Sequence, residues 1–405
     1  MRYLDREIAN LVREALGQLP VVVLTGMRQS GKSTLLLNEG FLKERYYTNL
    51  DVFTSLEAAR ENPEAILDRP GQVTIDEAQR APDLLLAIKM LVDDKREAGR
   101  FLLSGSANFL LMEKVSESLA GRAIYLYLRP MTRRELAGET RKTSFLVKML
   151  ASGKPPRRRG EVIPLKDQEV LTGGMPPVCT AEVKSKELWL EGYEQTYVER
   201  DVRNLASVGD LISFRRILRL AANRTAQILN ISGFATDAGV NVATAKRYLG
   251  LLETSFMIFM IPPYLGNRAS RLIKSPKVFL ADSGLASHLI GLDRFNDSPL
   301  KGHLFETYVA QNLLAILEAH QPRARLHFWQ VQGRHEVDFV IEHGNKVLAV
   351  EVKAGTRWSG KDLSGLKAFL SATPNCIGAI LAYNGQEQVN LGDGLWAVPL
   401  GTLLS

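Results

Sequence analysis

The sequence predicts an α/β protein in three parts, and three patterns carry that expectation. From Val21 to Leu128 short apolar runs alternate with helical stretches, as in a mostly parallel sheet flanked by helices. From Lys184 to Glu253 the pattern is mainly helical. From about Gly266 onward one long helix is mixed with several strands. The expected parts are residues 1–135, 136–265 and 266–405.

Residues 1–20 read as an amphipathic helix with Leu4, Ile8, Leu11, Leu16 and Leu19 on or near one side. Val21–Thr25 is a short buried strand, and a helix begins at Ser33. Tyr46–Leu50, Gln72–Ile75, Phe101–Ser104 and Ile124–Leu128 are further apolar runs, with helical stretches such as Leu84–Arg96 between several of them. Lys154–Gly160 joins two prolines to three arginines and reads as an exposed loop or linker. Residues 228–253 read as helix, turn and helix, with Gly239 at the turn and Asn241 or Val242 opening the second helix. In the last part a helix runs from Gly302 to about His320. It is followed by strands at Leu326–Val331, His335–Ile341 and Lys346–Lys353, a helix near Leu363–Ser371 and a strand at Ile377–Tyr383.

A chain of 405 residues is too long for one ordinary core, and 45% hydrophobic with 23% charged residues is the composition of a soluble globular protein. The net charge of +7 is spread over the chain and is compatible with a nucleic acid partner. Only Cys179 and Cys376 are present, which suggests no disulfide framework or zinc cluster and fits a reducing cytosol. The charged N-terminus has no apolar signal core. The apolar stretch Phe256–Ile261 stops at two prolines, well short of the roughly 20 residues that span a bilayer. A cytoplasmic protein without a membrane segment is expected.

The chemistry concentrates first between the Val21–Thr25 strand and the helix after it. Gly26, Met27, Arg28, Gln29, Ser30, Gly31, Lys32 and Ser33, followed by Thr34, form a complete phosphate-binding loop. The glycines let the backbone bend around phosphates and aim N–H groups inward, and Lys32 supplies a charge for the β- and γ-phosphates. Ser33 offers its hydroxyl to Mg2+, so ATP with Mg2+ is the expected ligand. Downstream, an apolar strand ends in Asp76 and Glu77. Asp76 suits orienting Mg2+ through its water shell, and Glu77 suits polarising the attacking water.

A second charged set lies near the end of the chain. Asp338 falls on one strand, and Glu351 and Lys353 on the next, two apart and therefore on one face. In the nuclease-like fold whose resemblance is given below, Asp338 and Glu351 could bind Mg2+, Lys353 could orient or activate water against a phosphodiester, and Glu306 could complete the metal shell. The alternative is a buried ion network in a fold that does not cleave.

These residues resemble known families. The loop with Asp76 and Glu77 resembles AAA-type P-loop ATPases, and Phe101–Ser106 resembles their sensor strand, with Ser104 or Ser106 at its polar tip and Ser106 preferred. By the same resemblance Arg122, after Ser118-Leu-Ala-Gly, is an arginine finger or sensor, the alternative being an ordinary surface arginine. Acting on a neighbour's nucleotide it would require a homo-oligomer. Residues 228–253 resemble a helix-turn-helix inside a winged-helix fold, with Lys246 and Arg247 on the helix that would meet DNA; packing or protein contact is the alternative. The helix–three strands–helix–strand order at the end is that of the PD-(D/E)xK, or restriction-endonuclease-like, fold. Together with Pro130–Glu135, Gly173–Pro176, Glu199-Arg-Asp201 and Asp282–Leu285, these segments resemble AAA ATPases that carry a C-terminal DUF4143 domain. That resemblance implies ATP binding, hydrolysis and a nuclease-like C-terminal fold.

Overall fold

The structure, a computed structural model, describes residues 3–105, 119–156, 162–197, 210–266, 274–331 and 334–405. Ser106, most of the basic Lys154–Gly160 loop and Glu199–Asp201 therefore lie outside the described residues.

The first part is built on β1 (Val21–Thr25), β2 (Tyr46–Asn49), β3 (Val73–Asp76), β4 (Phe101–Gly105) and β5 (Ala123–Tyr127), parallel throughout in the order β2-β3-β4-β1-β5. Strand alternation divides β1 between two apolar layers. Val21 and Val23 pack with Leu84, Leu85 and Ile88 of the Pro82–Asp94 helix, while Val22 and Leu24 pack with Val12, Leu35 and Leu36 on the other side. Both faces are covered, which is why β1 reads as a continuous apolar run. The expected N-terminal helix is confined to Ala9–Leu16. The residues before it do not continue that helix, because Arg6 and Glu7 are buried against distant charged partners.

The middle part contains the Leu211–Asn223 helix, β6 (Gln227–Ile228), helices Ile231–Ala238 and Val242–Thr254, β7 (Ile258–Ile261) and β8 (Lys277–Leu280). Gly239 ends one helix in the left-handed region with φ 70°, and the Asn241 side chain caps the next by accepting from Thr244 N at 2.7 Å. The three strands form one antiparallel sheet in the order β6-β8-β7. β8 lies beyond the boundary expected at residue 266, so that boundary does not mark a break in packing. One apolar core runs through both parts and includes Phe214, Leu280, Phe305, Leu313 and Ile380.

The C-terminal part opens with the Lys301–His320 helix. It continues with β9 (Arg325–Val331), β10 (His335–His343), β11 (Lys346–Lys353), the Ser364–Ala372 helix, β12 (Cys376–Tyr383), β13 (Val389–Asn390) and β14 (Leu395–Pro399). The sheet order is β13-β14-β12-β11-β10-β9. β9, β10 and β11 are antiparallel neighbours, and β11, β12 and β14 are parallel. The long helix packs on one face and the Ser364–Ala372 helix on the other. The β9–β10 register shifts between Val337 and Val340, an irregularity that falls on Asp338. No helix among the described residues is long and apolar enough to cross a membrane.

Candidate functional site

The loop after β1 has the backbone its glycines require. Gly26 has φ 152°, and a Cβ there would lie 2.4 Å from the Leu128 carbonyl oxygen. Gly31 has φ 93° and leads directly into the Lys32–Asn38 helix. The buried Lys32 ammonium donates to the Gly26 and Met27 carbonyls, each at 3.0 Å, which places its charge at the loop. A cavity of about 190 Å³ beside the loop is lined by Leu4, Gln29, Thr34, Asn38, Pro176 and Thr180.

Asp76 ends β3 and is fully buried. Tyr47 donates to its Oδ2 at 2.8 Å, and the Ser104 hydroxyl donates to its Oδ1. Burial and the Asp76 charge push the Tyr47 phenol upward, so it remains a donor. β4 lies between β1 and β3, so its tip stands between the loop and Asp76. Among the described residues Ser104 is the serine that makes this contact. Ser33 and Asp76 offer an all-oxygen set that fits Mg2+ with part of its water shell. Glu77 adopts the left-handed region at φ 57°, which costs of order 1–3 kcal/mol in a residue with a side chain. Its Oε2 accepts from Gln79 Nε2 at 2.5 Å.

Arg122 is elsewhere. It precedes β5, whose Ala123 pairs with Val21 at the start of β1. A five-residue strand, roughly 16 Å, separates it from the loop end of the sheet. Its guanidinium is bidentate to Asp93 at 2.6 and 2.7 Å. The parallel register therefore rules out contact with the loop of its own chain and leaves only a neighbouring chain's site for the finger role.

Sequence reasoning missed the groups that hold the loop from behind. Arg6 donates to the Ser30 carbonyl at 2.8 Å and to the Arg129 carbonyl at 2.6 Å, and pairs with Glu135 at 3.1 Å. Glu135 also accepts from Glu7 N, while the Glu7 carboxylate pairs with Arg134 at 2.6 Å and His320 at 2.5 Å. Arg129 is bidentate to Glu318 at 2.6 and 2.7 Å. Glu318 and His320 close the Lys301–His320 helix, so this network joins the loop to the C-terminal part. The only signal in the sequence was the charged Pro130–Glu135 segment, which named some of these groups but not their partners.

Asp338, Glu351 and Lys353 of the second set lie together. Asp338 Oδ2 accepts from Val352 N at 2.8 Å, and Glu351 Oε2 accepts from Asp338 N at 3.3 Å. Lys353 lies 3.1 Å from Glu351 and 3.8 Å from Asp362. Burial, then the Asp338 charge, pushes the Glu351 carboxyl up to about 8. The same two causes raise Glu306 well above the usual carboxylate range. An unexpected member, Lys277 of β8, reaches Glu336 at 2.7 Å, Glu306 at 2.8 Å and Asp338 at 3.5 Å. An ammonium against Glu306 and Asp338 does not fit a divalent ion at those oxygens. On the Val242–Thr254 helix, Lys246, Arg247 and Val242 are exposed.

Comparison with known proteins finds three family matches along the chain. Residues 18–137 match the family described as "AAA domain", residues 165–296 "Domain of unknown function (DUF8612)", and residues 301–403 "Domain of unknown function (DUF4143)". The chain is similar to the uncharacterized proteins Mb2031c of Mycobacterium bovis and Rv2008c of Mycobacterium tuberculosis. Each is 31% identical over 408 residues, spanning 99% of this chain and 84% of the relative. Among solved structures, the Walker-type ATPase PABY2304 of Pyrococcus abyssi covers 71% of this chain and 96% of its own at 16% identity, with a TM-score of 0.40.

Proposed function

The chain belongs to the family of Mb2031c and Rv2008c, with an AAA domain on its N-terminal side and a DUF4143 domain at its end, and from that premise we propose that it is a Mg2+-dependent ATPase. Its nucleotide state controls the helical and C-terminal parts. The observation that carries this reading is the Gly26–Ser33 loop at the end of β1, with a buried, doubly hydrogen-bonded Asp76 two strands away.

The loop N–H groups and Lys32 bind the triphosphate. Ser33 and Asp76 hold Mg2+, which when bound neutralises charge on the β- and γ-phosphates. Glu77 polarises the attacking water, and Gln79 holds the Glu77 carboxylate until substrate is in place. Ser104 keeps Asp76 in one orientation. Nucleotide occupancy reaches the C-terminal part through the Ser30–Arg6–Glu135 contacts, Glu7 and His320. The test is turnover of purified full-length protein. Lys32→Ala and Glu77→Gln should each lower the rate by at least a hundredfold, with Glu77→Gln still binding ATP. Unchanged rates in both would refute the site. Tight binding by the unaltered chain with negligible turnover would make it a non-hydrolysing switch.

A second reading concerns the partner. The helix–strand–helix–helix–hairpin order of the middle part supports a winged-helix fold, and the exposed Lys246 and Arg247 support DNA contact by the Val242–Thr254 helix. Duplex binding should weaken with salt, and Lys246→Ala with Arg247→Ala should reduce the log–log slope by about two. An unaltered slope would remove this helix from the interface.

A further inference from the structure

We propose that Lys277 is an internal cation that closes the carboxylate cluster of the C-terminal sheet to divalent metal and locks the middle part against it. Lys277 belongs to the middle part by its backbone. It opens β8, the central strand of the three-stranded sheet, opposite Ile228 of β6 and Ile261 of β7. Its side chain leaves that sheet altogether. Only 3% of it is exposed, and its Nζ meets Glu306 of the long helix and Glu336 and Asp338 of β10.

The oxygens away from Lys277 already have partners of their own. Asp338 Oδ2 is taken by Val352 N, and the Glu351 carboxylate is shared between Asp338 N and Lys353. Glu306, Glu336 and Asp338 Oδ1 are thus the groups a divalent ion would draw on, and all three face the ammonium. Mg2+ requires oxygens at about 2.1 Å, within the volume that Lys277 fills, and two cations there would repel. The ammonium in turn cannot leave singly. Withdrawn from these partners while still buried it would carry an uncompensated charge, so β8 and the cluster stay joined unless the two parts separate. In this arrangement the nuclease-like set is a tether between parts, and metal-dependent phosphodiester cleavage is shut off by a residue of a different part.

The test uses Mn2+ as the probe on nucleotide-free, full-length protein, with bound and free ion separated by electron paramagnetic resonance. The unaltered chain should show no Mn2+ whose binding depends on Asp338, judged against Asp338→Asn. Lys277→Met, of similar length but uncharged, should gain one Mn2+ per chain at least tenfold more tightly. That ion should be lost again in Lys277→Met/Asp338→Asn. A folded Lys277→Met that gains no ion overturns the proposal, as does an Asp338-dependent Mn2+ in the unaltered chain. The second comparison needs no change at Lys277, so it decides the matter even if Lys277→Met does not fold. Neither arm depends on ATP turnover, so each stands apart from the fate of the ATPase reading.

Discussion

Replacing Glu7 by alanine removes the carboxylate from an ion pair in which Arg134 and Glu7 are only 1% and 2% exposed. The N–O distance is 2.6 Å, and Arg134 keeps its contacts to the Glu139 and Lys142 carbonyls but loses its charge partner. Breaking a buried pair from one side costs about 3–5 kcal/mol, because the surviving charge stays out of water. His320, 23% exposed, also loses Glu7 but can turn to solvent, so most of the cost arises at Arg134. The assay is urea denaturation of the unaltered chain, Glu7→Ala, Arg134→Met and the double variant, each compared at its first transition. The double variant should cost less than the two singles together by more than about 1 kcal/mol, since the second change removes the stranded charge. The sign with pH is fixed as well. Burial alone would raise the Glu7 carboxyl, but His320 and Arg134 outweigh it and hold it below the usual range. The contribution is therefore fully present above the ordinary Glu value of about 4.3 and is lost as pH falls through the lowered folded value. Additive single costs, or a Glu7→Ala penalty that persists in strong acid, would refute the buried-pair account.

Further outcomes follow from the same contacts. Ser104→Ala should lower ATP turnover about 10–100-fold with nucleotide affinity nearly kept, because it frees one oxygen of the carboxylate proposed to orient Mg2+; steady-state kinetics checks the split. Gly26→Ala should abolish nucleotide binding measured by calorimetry, since its Cβ would stand 2.4 Å from the Leu128 oxygen in a backbone region that favours glycine. Glu351→Gln should become progressively more stable than the unaltered chain as pH rises from about 4.5 to 8. A carboxyl raised to about 8 favours its protonated form when folded, so its stabilisation is lost as pH climbs through that window. Equal stability of the two chains across that window would show that Glu351 is charged in the folded protein.

What could be read without coordinates was local. The phosphate loop is eight contiguous residues whose types declare their geometry, and β1 announces itself because both faces of a parallel strand are buried. Glu351 and Lys353 share a face by strand periodicity alone, and Asn241 caps a helix by its own side chain. What needed the fold rests on residues far apart along the chain. Arg122 stands away from the loop because parallel pairing puts the start of every strand at the far end of the sheet. Ser104 meets Asp76 because β4 inserts between β1 and β3. Arg6 and Glu7, read as helix, instead bury their charges against Glu135, Arg134 and His320. Lys277 sat in an unremarked strand 29 residues before Glu306. Sequence specifies where a chain must bend or hide apolar groups, because those preferences act between near neighbours. Which buried charges neutralise one another is decided only when the parts pack, because a charge out of water takes whichever opposite charge the fold brings within reach.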